Sequence, residues 1–309
     1  MQSAILSRTP LDVTVTYHYS HGLYSVWPKV YFQDTEGRIR TVDGNAGGAS
    51  TIAVDKANLN NSFAAISWGG PETGIPQEER LYYMSEDGAI YEQCWNSSRG
   101  WYPGELNGQF RAASYSQLAA VTYGYSGNQL HHIQIYFQEP YMNKISEIYK
   151  NGNNPWVAGV SHPAGIQGSS IAAHTSPGGT SVWYQQPNTY FVQYAFESGK
   201  PWHQKSFASS LKHDPGASIE ASNAHRIFTV TNNNKLAVTN FNTQTGYWSP
   251  TTEIIPQIPL SAVAAIGHPR PHDSKFTEVV YCQKKGGEIT RVRFAPDGTQ
   301  DESQLPVTL

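Results

Sequence analysis

The sequence predicts an all-β protein, and three observations support this fold class. A strand-like segment rich in Ala recurs along the 309-residue chain at intervals of about 50 residues. Each copy is followed by further strand-like segments, in which apolar and polar side chains alternate, as in HIQIYFQ at 132–138. The composition is rich in aromatic residues (12%) and glycine (27 residues) and poor in charged residues (15%). Such a composition is typical of short packed strands and disfavours both helical bundles and disordered chains.

The first strand of each repeat carries small residues. Five copies have an Ala two positions after an initial apolar residue, and a degenerate copy precedes them: VTVTYH at 13–18, FAAISW at 63–68, LAAVTY at 118–123, IAAHTS at 171–176, IEASNA at 219–224 and VAAIGH at 263–268. Small side chains suit strands that crowd around a common axis, so we place these strands at the centre of the fold.

Two more strands and an aromatic segment complete each repeat. The second strands are KVYFQ at 29–33, RLYYM at 80–84, QIYFQ at 134–138, SVWYQ at 181–185, RIFTV at 226–230 and VVYCQ at 279–283. A turn leads to the third strands, RIRTV at 38–42, AIYEQCW at 89–95, KISEIY at 144–149, YFVQYAF at 190–196, KLAVTNF at 235–241 and EITRVRF at 288–294. The middle repeats end in Gly-rich segments around Trp101, Trp156, Trp202 and Trp248, which we place at the wide rim.

Six repeats of three or four short strands are typical of the blades of a β-propeller. One four-stranded blade cannot bury both of its faces, whereas six blades packed around an axis can. The repeats use up the whole chain. We therefore predict a single six-bladed β-propeller over residues 1–309, with almost no helix.

Several classes of function are disfavoured by the sequence. The net charge of −3 and the lack of a basic stripe predict no nucleic-acid partner. The sequence contains no apolar run of about 18 residues, so we expect no membrane insertion. The N-terminus has no secretory signal pattern. We expect a cytoplasmic protein, or one that reaches the cell surface or the exterior without a signal peptide. Cys94 and Cys282 are far apart and are predicted to be buried free thiols.

No cofactor or metal site is predicted. Phosphate-binding and catalytic motifs such as the P-loop, GxGxxG, GxSxG and HExxH are absent from the sequence. Histidine pairs in YHYSH at 17–21 and HPRPH at 268–272 have no Cys or carboxylate partner at a recognisable spacing. We expect GNAGGAS at 44–50 to be a flexible turn.

The repeats resemble a known family. VYFQD at 30–34 followed by GRIR at 37–40, together with FAAISW, LAAVT and the Gly-Trp segments, are similar to the fungal fucose-binding lectins of the Aleuria aurantia type. The resemblance spans all six repeats and is strongest over the first three. It implies a fungal six-bladed propeller that binds carbohydrate, is not an enzyme, needs no cofactor and has fucosylated glycans or glycoproteins as partners.

The resemblance also implies where sugars bind. In that family a fucose site lies between adjacent blades. One blade gives an Arg at the start of its second strand and a Glu in its third strand. The next blade gives an aromatic residue three positions past its own Glu position and the Trp of its last strand. Arg offers a fixed fork of donors, the carboxylate accepts from hydroxyls, and Trp packs on the apolar face of the sugar.

Carried over to this sequence, the pattern is fullest between repeats two and three, where it selects Arg80, Glu92 and Trp156. Lys150 holds the second aromatic position, and the adjacent Tyr149 is a substitute for it. Between repeats three and four the pattern selects Gln134, Glu147, Phe196 and Trp202, with an amide in place of the guanidinium.

The other four interfaces match the pattern less well, so we expect fewer working sites than is typical of the family. The first has Lys29 and Thr41, facing Trp95 and Trp101. Repeat five has Arg226 but Val238 at the Glu position. Repeats four and six carry Ser181 with Gln193 and Val279 with Arg291.

Alternatives stay open at this point. Arg80 and Glu92 can be a plain surface ion pair, and the rim tryptophans can be caps of the blades. A propeller with decayed or altered sugar sites would bind a different glycan or a protein partner. A propeller glycosidase is less favoured, because its paired carboxylates and an S-x-D-x-G-x-x-W box are not apparent. A homodimer is also left open.

Overall fold

The computed structural model describes residues 4–20, 23–60, 62–70, 75–124, 131–176, 178–205, 207, 213–223, 225–267, 277–295 and 299–309. These residues contain 27 β-strands, β1 to β27 in chain order, and no helix. The described part therefore has no helix that could cross a membrane. The motif HPRPH and His21 lie outside the described residues, and the described ones contain no group of three or more potential metal ligands.

Twenty-five of the strands form six antiparallel sheets, each running in chain order from an inner to an outer strand, and the other two form a small parallel sheet. Blade 1 consists of β1 (Leu11–Ser20), β2 (Leu23–Gln33), β3 (Ile39–Asp43) and β5 (Thr51–Val54), with β4 (Gly48–Ala49) apart. Blade 2 consists of β6 (Phe63–Gly70), β7 (Ile75–Met84), β8 (Ile90–Asn96) and β9 (Gly100–Pro103). Blade 3 consists of β10 (Leu118–Gly124), β11 (His131–Gln138), β12 (Lys144–Asn151) and β13 (Val157–Ala164).

The remaining blades repeat this order. Blade 4 consists of β14 (Ile171–Ser176), β15 (Gly179–Gln185), β16 (Phe191–Glu197) and β17 (His203–Lys205). Blade 5 consists of β18 (Ile219–Asn223), β19 (Arg226–Val230), β20 (Lys235–Asn242), β21 (Tyr247–Trp248) and β22 (Thr252–Pro256). Blade 6 consists of β23 (Ala264–Gly267), β24 (Glu278–Cys282), β25 (Ile289–Phe294) and β26 (Gln300–Leu305), followed by β27 (Val307–Thr308).

The inner strands form a closed ring. Each of β1, β6, β10, β14, β18 and β23 contacts the inner strand of the next blade, and β23 returns to β1. Buried alanines such as Ala64, Ala119 and Ala172 allow the strands to approach one another here. The predicted six-bladed propeller is confirmed.

The core lies between neighbouring blades. One apolar cluster joins Tyr82 and Ile90 of blade 2 to Ile135, Ile148 and Trp156 of blade 3. Burying a large apolar side chain stabilises the fold by about 1.5–3 kcal/mol. The faces that one blade could not bury alone are thus covered by the next.

A glutamine at the end of the second strand connects successive blades, a role that the sequence reading did not assign. The Nε2 of Gln138 donates to Ile166 O at 2.9 Å, and its Oε1 accepts from Gly168 N at 2.9 Å. Gln283 bonds Leu6 O and Thr9 N in the same way, at 3.1 and 2.9 Å. These buried amides fix the loops that lead from one blade to the next.

The segment 44–50 was expected to be a flexible turn; residues 44–46 do form a turn, whereas Gly48–Ala49 form strand β4, which the prediction missed. Strand β4 pairs in parallel with β27, with Gly48 opposite Val307. Gly48 N donates to Pro306 O at 2.6 Å, and Ser50 N donates to Thr308 O at 2.8 Å. The segment therefore joins the last blade to the first and completes the ring.

Both cysteines are free and buried, as predicted. Burial raises the pKa of Cys94 and of Cys282 to about 12. Since the thiolate is the reactive form, these thiols serve packing.

Candidate functional site

The rim tryptophans lie at the interfaces between blades. In four interfaces an aromatic side chain of the second strand makes an edge-to-face contact with the rim Trp of the next blade. The pairs and their centroid distances are Tyr31–Trp101 at 6.4 Å, Tyr82–Trp156 at 5.9 Å, Tyr136–Trp202 at 6.4 Å and Trp183–Trp248 at 6.4 Å. The fold thus brings Trp101, Trp156 and Trp202 to the blades with which the sequence pattern paired them.

The interface of blades 2 and 3, called pocket A, is formed around Arg80, Glu92, Lys150 and Trp156. Arg80 Nε lies 3.7 Å from Glu92 Oε1. A closer partner of Arg80 is Glu78, whose Oε2 accepts from Arg80 Nη1 at 2.7 Å. The sequence pattern did not select Glu78 as a site residue. The guanidinium also lies 4.8 Å from the centroid of the Trp68 ring, a cation–π distance.

Glu92 is held in place by two donors of its own blade. The Tyr82 hydroxyl donates to Glu92 Oε1 at 3.1 Å, and Glu105 N donates to Glu92 Oε2 at 2.9 Å. Burial, and then the charge of Glu92, raise the pKa of Tyr82 well above its usual value, so its hydroxyl remains a donor. The carboxylate is therefore fixed in a largely buried position, with a side-chain exposure of 4%.

A glycine of the outer strand makes room for each of the two third-strand glutamates. A Cβ at Gly159 would lie 2.5 Å from Glu147 Oε2, and one at Gly104 would clash with Glu92 in the same way. Both glycines follow the rim Trp in the pattern W-x-x-G, which the blades without a third-strand Glu do not show. This pattern could have identified the two Glu-bearing blades from the sequence.

The second aromatic position of pocket A is filled by Lys150, which forms an ion pair with Glu105. Only 14% of the Lys150 side chain is exposed, against 73% for Glu105. The prediction that Tyr149 substitutes there is corrected by the strand register. Tyr149 is directly opposite Gln134 and two residues from Glu147, so it lies on the face of the sheet that turns to blade 4.

The interface of blades 3 and 4, called pocket B, is formed around Gln134, Glu147, Phe196 and Trp202. Gln134 Nε2 donates to Glu147 Oε1 at 2.5 Å, and Val160 N donates to Glu147 Oε2 at 3.2 Å. The rings of Phe196 and Trp202 lie 5.9 Å apart and are inclined by 46°. Pocket B therefore has its carboxylate and both aromatic walls, and its donor is neutral.

A buried histidine supports the Trp wall of pocket B. The ring of His162 lies 4.6 Å from that of Trp202 in an edge-to-face contact and also packs against Tyr136 and Tyr194. Burial lowers the pKa of His162 to about 4, so the imidazole is neutral at physiological pH. This residue, too, was not selected from the sequence.

Two further interfaces contain an ion pair between blades. Lys29 Nζ lies 2.7 Å from Glu79 Oε1 and 4.8 Å from the centroid of the Trp95 ring. Arg226 of blade 5 forms an ion pair with Glu278 of blade 6. The structure thus places the weaker candidates Lys29, Trp95, Trp101 and Arg226 at interfaces whose carboxylate comes from the following blade.

The last two interfaces have neither arrangement. At the interface of blades 4 and 5, Gln193 Nε2 donates to Ser181 Oγ of the same blade at 3.0 Å. Between blades 6 and 1, Gly44 O accepts from Arg291 Nη1 at 3.3 Å and from the Tyr281 hydroxyl at 3.1 Å. The turn around Gly44 occupies this interface.

Comparison with known proteins agrees with the fold and with the resemblance of the repeats. A curated fucose-specific lectin of Aspergillus oryzae is 30% identical over 296 residues, which cover 87% of this chain and 92% of the relative. The fucose-specific lectin of Aleuria aurantia is 28% identical over 200 residues, 62% of each chain. A crystal structure of the Aleuria aurantia lectin, a six-bladed propeller, superposes with a TM-score of 0.80 at 20% identity and covers 100% of this chain and 99% of its own.

These relatives are named as lectins, and lectins bind carbohydrate without converting it, in agreement with the expectation that the chain is not an enzyme. The sequence pattern described as fungal fucose-specific lectin matches residues 20–294, which is most of the chain. The protein therefore belongs to the fungal fucose-specific lectin family.

Proposed function

We propose that this protein binds fucose or fucosylated glycans, in pocket A most strongly and in pocket B more weakly. The observation that carries the proposal is the convergence of Arg80, Glu92 and Trp156 at one interface. The curated relatives are named fucose-specific lectins, and a solved structure shows a variant of the Aleuria aurantia lectin in complex with α-methyl-L-fucoside.

Pocket A offers the groups that a small sugar needs. Arg80 uses Nη1 for Glu78 and for Glu79 O, whereas its Nε and Nη2 donate no hydrogen bond to any residue that the structure describes. A guanidinium has five N–H donors, so donors are left for sugar oxygens. Each oxygen of Glu92 accepts one hydrogen bond and has a further lone pair for a sugar hydroxyl.

Pocket B lacks the charged donor. A hydrogen bond to a charged group is stronger than one between neutral groups, and the difference of about 1–2 kcal/mol corresponds to about one decade of affinity. Gln134 also donates to Glu147, which occupies part of its capacity. We therefore expect pocket B to bind the same ligand more weakly.

Calorimetric titration with methyl α-L-fucoside tests the proposal. The unmodified protein should bind, and Arg80→Ala should weaken the stronger class of sites at least tenfold, by loss of charge-assisted hydrogen bonds. Arg111→Ala is the matched control, because Arg111 is 58% exposed and pairs with Asp87 away from the pockets. Unchanged binding by Arg80→Ala would refute pocket A as the site. A glycan array on which the protein ignores every fucosylated glycan and binds another sugar would refute the specificity.

A further inference from the structure

We propose that Glu79 and Glu278 close two of the six interfaces by an ion pair with the preceding blade, so that these interfaces do not accept a sugar. The acidic residue at this position would then decide whether an interface of the propeller is closed or open to a ligand. The part that concerns sugar rests on the proposed function, whereas the part that concerns the ion pairs does not.

The two glutamates occupy equivalent positions of the repeat. Glu79 stands immediately before Arg80, and Glu278 stands immediately before Val279, which has the position of Arg80 in blade 6. Their partners are equivalent as well, because Lys29 and Arg226 hold the Arg80 position in the preceding blades. The same contact thus occurs twice in the ring, from blade 2 to blade 1 and from blade 6 to blade 5.

Glu79 takes the place that Glu92 has in pocket A, but reaches it from the other side of the interface. Both Glu79 oxygens accept from Lys29 Nζ, at 2.7 and 2.9 Å, and Oε2 accepts from the Tyr31 hydroxyl at 2.7 Å. Tyr31 is the counterpart of Tyr82, whose hydroxyl bonds Glu92. The side chain of Glu79 is fully buried, with an exposure of 0%.

The cation of this pair covers a surface that a sugar would need. Lys29 Nζ lies 4.8 Å from the centroid of the Trp95 ring. Trp95 is the aromatic residue three positions past the Glu position of blade 2, so its face is the one on which the apolar side of a sugar would pack. The Lys29 ammonium therefore contacts both the Glu79 carboxylate and the ring of Trp95.

The interface of blades 5 and 6 shows the same closure with Arg. Arg226 forms its ion pair with Glu278 Oε2, and its Nε donates to Asn240 Oδ1 at 2.7 Å. The other oxygen of Glu278 accepts from Ser222 Oγ at 2.8 Å. Only 5% of the Glu278 side chain is exposed, so its carboxylate is satisfied inside the protein.

The two arrangements exclude each other. Where the ion pair is present, the third strand has no acid: Thr41 stands at the Glu position of blade 1 and Val238 at that of blade 5. Where the third strand has Glu92 or Glu147, the residue at the Glu79 position of the next blade is uncharged, as Ile133 or Thr180. Two carboxylates at one cation in a buried site would repel each other, which explains why no interface has both arrangements.

The first experiment converts the interface of blades 1 and 2 into a copy of pocket A. The variant combines Lys29→Arg, Thr41→Glu, Thr51→Gly and Glu79→Ile. Thr51 is replaced because it lies opposite Thr41 and bonds it at 2.9 Å, in the place where Gly104 makes room for Glu92. Calorimetry with methyl α-L-fucoside should find one more site per chain than in the unmodified protein.

The matched control is the same variant with Glu79 retained, which should gain no site. The proposal is overturned if this control gains the site too, or if the unmodified protein binds the fucoside and the fourfold variant folds but gains no further site. Sugar bound between blades 1 and 2 of the unmodified protein would also overturn it.

A second measurement does not depend on sugar and separates this proposal from the proposed function. Glu79→Gln and Glu278→Gln remove the buried negative charge beside a partly buried cation and should each lower the melting temperature by several degrees. Glu302→Gln, which breaks the half-exposed pair with Lys284, should leave it nearly unchanged. If all three variants have the same melting temperature, the closure is overturned even if the protein binds fucose. If Glu79→Gln and Glu278→Gln melt at lower temperature than Glu302→Gln, the closure is supported even if the protein does not bind fucose.

Discussion

Gly104 lies directly against the carboxylate of Glu92, and a Cβ at this glycine would come within 2.2 Å of Glu92 Oε2. Because Gly104 has no side chain, the Glu92 carboxylate has room at this position. Gly104→Ala should push Glu92 away from Glu105 N and weaken fucoside binding in pocket A about tenfold or more. Calorimetry with methyl α-L-fucoside measures the effect. Gly159→Ala is the matched variant for pocket B, and loss of the same class of sites in both variants would contradict the assignment.

Lys150 stands where the resemblance implies an aromatic wall, and Trp95 holds the equivalent position in blade 2. Lys150→Trp should supply that wall and tighten fucoside binding in pocket A about threefold to tenfold, since an added aromatic contact contributes about 0.5–1.5 kcal/mol. Titration calorimetry of the variant checks this, with Lys200→Trp on the surface as control. Weaker binding would show that Lys150 itself contacts the ligand.

His162 should make the protein sensitive to acid. Burial lowers its pKa from 6.5 to about 4, so the unfolded chain takes up a proton in a range where the folded protein does not. The stability contributed by neutral His162 is present above pH 6.5, falls as the pH drops towards 4, and falls no further below that. The full shift corresponds to about 3 kcal/mol.

Urea denaturation from pH 7 to pH 4 tests this through the difference between the unmodified protein and His162→Phe, which keeps an aromatic ring beside Trp202. Taking the difference cancels other groups, among them Asp12, whose pKa burial raises to about 7 and which therefore acts in the opposite direction. The free energy of unfolding of the variant should fall less on acidification. A difference that does not change with pH would rule out His162 as the sensitive group.

Gly47 should be important for the closure of the ring. It has φ of +69°, and a Cβ here would lie 2.0 Å from Pro306 O. Gly47→Ala should therefore lower the free energy of unfolding by about 2 kcal/mol or more, because it adds a clash to backbone strain. Gly246→Ala is the control, since Gly246 has φ of +75° and open space around it. Equal losses in thermal or chemical denaturation would show that the contact with Pro306 contributes nothing.

The period of the sequence was sufficient to predict the six blades and to align Arg80, Glu92 and Trp156. It was not sufficient to say which neighbour each side chain faces. Adjacent residues of a strand point to opposite faces, so Arg80 turns to blade 3 while Glu79 turns to blade 1. The same alternation places Lys150 and Tyr149 at different interfaces.

Contacts between distant parts of the chain were beyond the reach of a repeat pattern. The pairing of Gly48 with Val307 joins segments outside the common repeat, and nothing in GNAGGAS indicates its partner. Glu78 and His162 belong to single blades and act through side-chain contacts that the repeat does not encode. The W-x-x-G pattern, by contrast, was present in the sequence and became meaningful only with the geometry of Glu92 and Glu147.

The most direct test of which interfaces bind is a crystal of the protein soaked with methyl α-L-fucoside. We predict sugar in pocket A, with hydrogen bonds to Arg80 and Glu92 and its apolar face towards Trp156, and sugar in pocket B only at higher concentration. The interfaces closed by Glu79 and Glu278 should contain no sugar. Fucoside at either of those interfaces, or an empty pocket A beside an occupied site elsewhere, would contradict the account.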